Sequence, residues 1–188
     1  MRLKTLFSSL TALIIIGCST NLAAQNLSSM STLLSMPDGT ETSVAALGEG
    51  KVTIVSFSAT WCSPCKKEMK AINGMYSTLE ENGIVYVSVF IDDMKTTARV
   101  GPYVKAKGYL FPVLLDPGAE LFEIANGSEV PYTLIYSATG ELRFKHDSYL
   151  EGDEEHMLEE AMTLVAEASA GDDAGTVDIS EDDEASDL

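Results

Sequence analysis

Val52-Thr53-Ile54-Val55-Ser56-Phe57 leads, through Ser58-Ala59-Thr60, into Trp61-Cys62-Ser63-Pro64-Cys65, and this junction decides the fold. The first six residues are apolar or β-branched, the composition of a buried strand. Beyond the cysteines, residues 66–80 set Met69, Ile72, Met75, Tyr76 and Leu79 three and four apart, the spacing of a helix with one apolar face. The two cysteines therefore sit where a strand turns into a helix. Pro64 falls in the first helical turn, where its missing N–H costs nothing. Free N–H groups at that helix end stabilise an anion, so the Cys62 thiolate is favoured there.

Magnitudes separate the uses of such a pair. A disulfide closing four residues removes only ~2 kcal/mol of unfolded-chain entropy, against ~3 kcal/mol for a fifteen-residue loop. It is a weak staple and a well-placed reversible dithiol. Zinc would need four ligands, and only His146 and His156 remain to join the cysteines, far along the chain and without metal spacing. No metal and no cofactor is implied. The two histidines read as a strand residue and a surface helical residue.

Ala59-Thr60-Trp61-Cys62-Ser63-Pro64-Cys65-Lys66-Lys67-Glu68-Met69 resembles the active-site segment of thioredoxin-like proteins, and more narrowly of the exported TlpA/ResA-type thiol–disulfide oxidoreductases. Phe111-Pro112-Val113-Leu114-Leu115-Asp116 agrees with that family in order and spacing. So does Val130-Pro131-Tyr132-Thr133-Leu134-Ile135, closed by Ser137-Ala138-Thr139-Gly140. The resemblance covers residues 31–168. It implies an α/β thioredoxin fold, a central mixed sheet flanked by helices, with an N-terminal β-hairpin added.

Read in order, the chain begins with Arg2 and Lys4 before an apolar run over residues 6–16, too short to span a bilayer and right for a signal peptide. Two cleavage sites compete. Ile15-Ile16-Gly17-Cys18 resembles a lipobox, with Cys18 lipidated and the anchor in the membrane; Leu22-Ala23-Ala24 suits ordinary signal peptidase, leaving Gln25 first. Residues 1–24 are accordingly expected to be an export signal and the protein to lie in the periplasm or cell envelope. Either cleavage leaves two thiols, Cys62 and Cys65, with no third to scramble them. The compartment is oxidising, so a reductant working there needs a supply of electrons, expected from a membrane-bound donor.

Residues 31–170 are expected to form one thioredoxin-like domain, close to the about 145 residues that bury roughly two-thirds of an unfolded chain's surface. Residues 32–36 and 41–44 read as a hairpin turning at Asp38-Gly39. Residues 84–91 are a near-continuous apolar strand of the kind buried on both faces. Residues 95–107 are a poorer helix that Gly101-Pro102 should break or kink. A short strand over 111–115, a short helix over 119–125, a hairpin over 132–136 and 141–145, and a helix over 153–168 complete the order. Residues 171–188 contain eight acids, no base and no aromatic, and read as an acidic disordered tail. With a net charge of −17, the chain has little to neutralise phosphates, and nucleic acid is excluded as a partner.

The resemblance assigns roles. Cys62 attacks a substrate disulfide, Cys65 resolves the mixed disulfide, and exported proteins with disulfides are the partners. Pro131 resembles the cis-proline that faces the cysteine pair. The lone tryptophan, Trp61, caps the active-site turn and offers an apolar docking surface. Lys66 and Lys67 read as solvated lysines. One departure matters: thioredoxins carry a buried Asp six residues before the first cysteine, and here that residue is Ser56. The resemblance points instead to an acid after the following strand, Asp92 or Asp93, as the base for Cys65. A thiol peroxidase and a metal- or haem-handling chaperone of the same fold are the alternatives; the first wants an arginine near Cys62 and the second a CxxxC pair. The export reading is checked by mass spectrometry of the mature protein: acylated Cys18 or free Gln25 is expected at the N-terminus, and a chain that keeps Met1 overturns it.

Overall fold

The computed structural model describes residues 26–173. A 3-10 turn over Leu27–Met30 precedes β1 (Leu34–Ser35), β2 (Glu41–Thr42) and the short α1 (Val44–Leu47). Then come β3 (Val52–Ser58), α2 (Ser63–Glu81), β4 (Ile84–Phe90), α3 (Val100–Lys107), β5 (Val113–Leu115) and α4 (Glu120–Ile124). The chain continues through β6 (Tyr132–Tyr136), β7 (Leu142–Asp147) and α5 (Asp153–Asp173). The strands described form a single sheet in the order β2-β1-β5-β4-β3-β6-β7. β3, β4 and β5 are parallel to one another, and β6 runs antiparallel to β3. This is the mixed sheet of a thioredoxin fold, with the β1–β2 hairpin added beside β5 through Ser35 and Leu115.

Both central strands are buried over their whole length, which is why β3 and β4 read as continuous apolar runs rather than alternating ones. On one face Ile54, Tyr86 and Phe90 meet Met69, Ile72 and Leu79 of α2 and Met157 and Leu164 of α5. On the other, Val55, Phe57, Val87 and Leu134 pack against Leu27, Met30, Val44, Leu121 and Phe122. The parallel β3–β4 pair brings the ends of both strands to one edge of the sheet, where α2 starts. The start of β6 and the end of β7 reach the same edge, because Phe57 pairs with Tyr132 and Tyr132 with Asp147.

The structure departs from the sequence reading in several places: Val44, read as the end of the hairpin, opens the helix α1 instead, with Ser43 as its N-cap. Residues before 31 pack on the sheet as well: Leu27 and Met30 are buried against it, and Leu27 N–H donates to the Gly140 carbonyl at 2.7 Å. Gly101-Pro102 does not break its helix, because a 3-10 turn over Thr97–Arg99 moves the α-helical start to Val100. Pro102 then lies in the first turn, where N–H groups have no carbonyl to reach. Finally, α5 runs to Asp173, past the expected end at 168. The expected export segment with Cys18, and most of the expected acidic tail, lie outside the described residues.

Gly127 sits in the loop that carries the chain from α4 towards Pro131. A Cβ there would strike the Phe122 ring, which is itself wedged against Phe57 at 5.2 Å and Tyr132 at 6.0 Å between ring centres. Gly127→Ala is therefore expected to destabilise the fold by ~1–3 kcal/mol, the ordinary cost of overpacking. Urea denaturation measures this, and an unchanged midpoint would show that the ring can move aside.

Candidate active site

Cys62 is the N-cap residue of α2, and its Sγ accepts the N–H of Cys65 at 3.2 Å. Pro64 stands in the first turn, as its chemistry requires. The two sulfurs are joined as a disulfide. Cys62 keeps 4% of its surface exposed and Cys65 none, so only the first sulfur can be approached from solvent. Trp61 stands beside it, 61% exposed. The Val130–Pro131 peptide bond is cis, Pro131 is buried, and the Val130 carbonyl oxygen lies 3.6 Å from Cys62 Sγ. The β3–β6 pairing makes this approach: Phe57 opposite Tyr132 sets the residue before β6 next to the turn after β3.

Asp92 and Asp93 follow β4 at the same edge, and they differ sharply. Asp92 is fully buried, and its carboxylate accepts both the N–H of Thr60, at 2.7 Å, and the Thr60 hydroxyl. It therefore ties the end of β4 to the turn that presents Cys62. Asp93 points to solvent and caps its own turn, accepting from Lys95 N–H, Thr96 N–H and the Thr96 hydroxyl at 2.9 Å each. Those hydrogen bonds, the Thr96 hydroxyl first, hold its carboxyl below the ordinary aspartate value. That direction is the opposite of a base with a raised pKa.

A third acid, which the sequence reading passed over, lies beneath the cysteines. Glu68 is fully buried on the sheet-facing side of α2, one turn after Cys65. Its Oε1 accepts hydrogen bonds from Ser56 Oγ at 2.6 Å, Tyr86 OH at 3.0 Å and Thr133 Oγ1 at 3.4 Å. Oε2 is buried and has no hydrogen-bond partner among the described residues. The seat has a simple origin. Ser56 pairs with Thr133 of β6 on one side, and on the other Tyr86 of β4 pairs with Ile54, two residues before Ser56, so three neighbouring strands bring hydroxyls within reach of one carboxyl. Burial pushes the Glu68 carboxyl above its ordinary value, and the Ser56, Tyr86 and Thr133 hydroxyls oppose the shift without cancelling it. Where thioredoxins bury an Asp on the strand, this chain has a serine there and a carboxylate reaching it from the helix. The signal was present in the spacing: Cys65, Glu68, Met69, Ile72, Tyr76 and Leu79 form one buried stripe, and a glutamate within it needs polar partners.

The histidines lie away from the cysteines. His146 is half-buried on β7, 2.9 Å from Asp153 Oδ2, and His156 is exposed on α5. Lys67 pairs with Glu151 at 3.1 Å. Among the described residues no three His, Cys, Asp or Glu side chains gather as metal ligands, and no helix is long and apolar enough to cross a membrane.

Residues 26–145 match the AhpC/TSA family. The thiol-disulfide oxidoreductase ResA of Halalkalibacterium halodurans is 28% identical over 117 residues, 62% of this chain and 64% of that protein. The chain thus spans less than two-thirds of the length of that relative, and about half of the similar protein from Bacillus subtilis. Among solved structures, a thioredoxin-like protein from Porphyromonas gingivalis superposes with a TM-score of 0.63 at 30% identity, over 73% of this chain and 91% of that one. A putative thiol:disulfide interchange protein DsbE from Chlorobium tepidum shares the fold, with a TM-score of 0.65 at 19% identity over 71% of this chain and 92% of that one. The match over residues 26–145 shows that the chain, with its sulfur pair at a helix N-terminus facing a cis-proline, belongs to the AhpC/TSA family, and the ResA relatives make it a thioredoxin-like protein of the TlpA/ResA type.

Proposed function

We propose that the protein is an exported thiol–disulfide oxidoreductase that reduces disulfides of other exported proteins. The observation that carries this reading is the Cys62–Cys65 pair at the N-terminus of α2, its outer sulfur beside the Val130 carbonyl. The ResA relatives, named as thiol-disulfide oxidoreductases, support it. In the reduced protein the Cys62 thiolate attacks one sulfur of a substrate disulfide, and the other substrate sulfur leaves and takes a proton. Cys65 then gives up its proton and attacks Cys62 Sγ, releasing the second substrate thiol and leaving the Cys62–Cys65 disulfide. Two electrons pass to the substrate, and a membrane-bound donor restores the dithiol. Trp61, Met94 and Leu150, all strongly exposed at this edge of the sheet, offer the apolar surface for docking, and the Val130 backbone offers hydrogen bonds to an extended segment.

Glu68 is the base that this reading assigns to Cys65. The two side chains lie one turn apart on the same buried face, with Oε2 unengaged. A buried thiol resists ionisation, and a carboxyl that burial holds above its ordinary value is a better acceptor for its proton than an ordinary one. Asp92 positions the Cys62 turn through Thr60, and Asp93 takes no part. The peroxidase alternative asks for an arginine at the thiol. Of the arginines in the described residues, Arg99 is exposed before α3 and Arg143 is bound to Glu167 at 2.8 Å.

Given dithiothreitol, the protein should reduce a model protein disulfide. Cys62→Ala should abolish this, and Cys65→Ser should accumulate the mixed disulfide; substantial turnover left in Cys62→Ala would remove Cys62 as nucleophile. Stopped-flow resolution of the mixed disulfide tests the base. Glu68→Gln is expected to slow it at pH 7 by about 10²-fold and to flatten its pH profile, whereas Asp93→Asn leaves both unchanged. Stability should shift the other way. An acid raised on folding stabilises below its ordinary value of 4.5, and that contribution is lost as pH rises through the folded value. Urea unfolding from pH 4.5 upward should therefore show a decline in the parent protein that Glu68→Gln lacks.

A further inference from the structure

Stepping along α2 by four, four and three residues from its N-cap gives Cys62, Lys66, Lys70 and Asn73, a single stripe that descends from the outer sulfur. Tyr103 and Lys107 of α3, with Tyr109 beyond it, face the lower part of this stripe, and the two walls enclose about 240 Å³. Lys66 Nζ lies 5.9 Å and Lys107 Nζ 6.0 Å from the centre of the Tyr103 ring, and the Tyr103 and Tyr109 hydroxyls meet at 3.1 Å. Burial, and then the Tyr103 hydroxyl, push the Tyr109 phenol well above its ordinary value, so it stays protonated and able to donate.

The chain has 12 lysines and arginines against 29 acids, yet no acid lines this cleft. Lys66, Lys70 and Lys107 have no ion pair among the described residues, while Lys67, on the neighbouring stripe, is neutralised by Glu151. Like charges four residues apart on a helix repel, so a strongly acidic protein that gathers three cations without an ion pair in a cleft lined by Tyr103 and Tyr109 has built a seat for anions. Its position says whose. At 1.5 Å per residue, Lys66 and Lys70 lie ~6 Å and ~12 Å along the helix from Cys62. An extended peptide advances ~3.3 Å per residue, so side chains about two to four residues from a cysteine held at Cys62 fall among these lysines.

We propose that this cleft binds carboxylates of the disulfide substrate, so that the protein prefers disulfides whose cysteine is followed or preceded within about four residues by Asp or Glu. The proposal rests on the oxidoreductase reading above and adds the substrate class to it.

The test uses two disulfide peptides that differ only in having Asp and Glu, or Ser and Gln, at those positions. Reduction is followed with the full chain and with Lys66→Gln/Lys70→Gln/Lys107→Gln, whose exposed or half-exposed changes spare the core. At low salt the acidic peptide should show a kcat/KM about three- to tenfold higher, carried mostly by KM. The preference should fade in 0.5 M salt and vanish in the triple variant, with the neutral peptide unaffected. Equal treatment of both peptides by the parent protein overturns the proposal while leaving the oxidoreductase reading intact. An equal change for both in the variant also overturns it: a slowing would make the lysines tuners of the Cys62 thiolate, and a speeding would make the cleft a seat for the chain's own acids. Failure to reduce either peptide removes the reading on which the proposal stands.

Discussion

Burying Glu68 with one oxygen on the hydroxyls of Ser56, Tyr86 and Thr133 ties α2 to β3, β4 and β6, and the rest of the site hangs from that tie. A carboxylate cannot be moved within an apolar interior without losing its donors, so the helix has one position along the strands and one rotation about its axis. Cys65, a turn earlier on the same face, is thereby set against the core. Cys62, at the N-cap, is set at the boundary with solvent.

The same buried network opposes stability and serves chemistry. An acid held with one oxygen unpartnered is a poor choice for a core, and a hydrophobic residue in its place would pack at less cost. A group that must accept a proton from a buried thiol, however, has to be an acid, has to be close, and has to be raised in pKa. Asp92 shows the contrasting use of a buried carboxylate: both of its oxygens are engaged by Thr60, and it acts as a strut for the turn. The two buried acids thus differ: Asp92 has both oxygens engaged, and Glu68 keeps one without a hydrogen-bond partner among the described residues.

Charge is divided as well. The molecule is acidic overall, but the side of α2 that faces α3 is cationic and begins at the outer sulfur, while the other side is neutralised through Lys67 and Glu151. A helix that presents its N-terminus to substrate therefore carries positive potential further down one flank, which favours approach of an anionic partner at low ionic strength.

From sequence alone, the strand–CxxC–helix junction, the buried character of residues 84–91 and the hairpin before the last helix were legible, because each rests on local periodicity or on one residue's backbone chemistry. So was the expectation of a cis bond at Pro131, though only through family resemblance, since a proline before a strand looks the same in either isomer. The helical start at Val100, which makes Pro102 harmless, was not legible, because a boundary shifted by a few residues leaves the pattern almost unchanged. The polar seat of Glu68 was not legible either. Glu68 lay in plain view on the apolar stripe of α2, but Ser56, Tyr86 and Thr133 become neighbours only when three strands far apart in the chain pair side by side. Sequence determined which residues could carry redox chemistry, because that is a property of side chains and their local spacing. Which hydroxyls surround the Glu68 carboxyl was decided by the tertiary structure alone, because hydrogen bonding and desolvation depend on what packs around a group, and that is set by strand pairing across the whole fold.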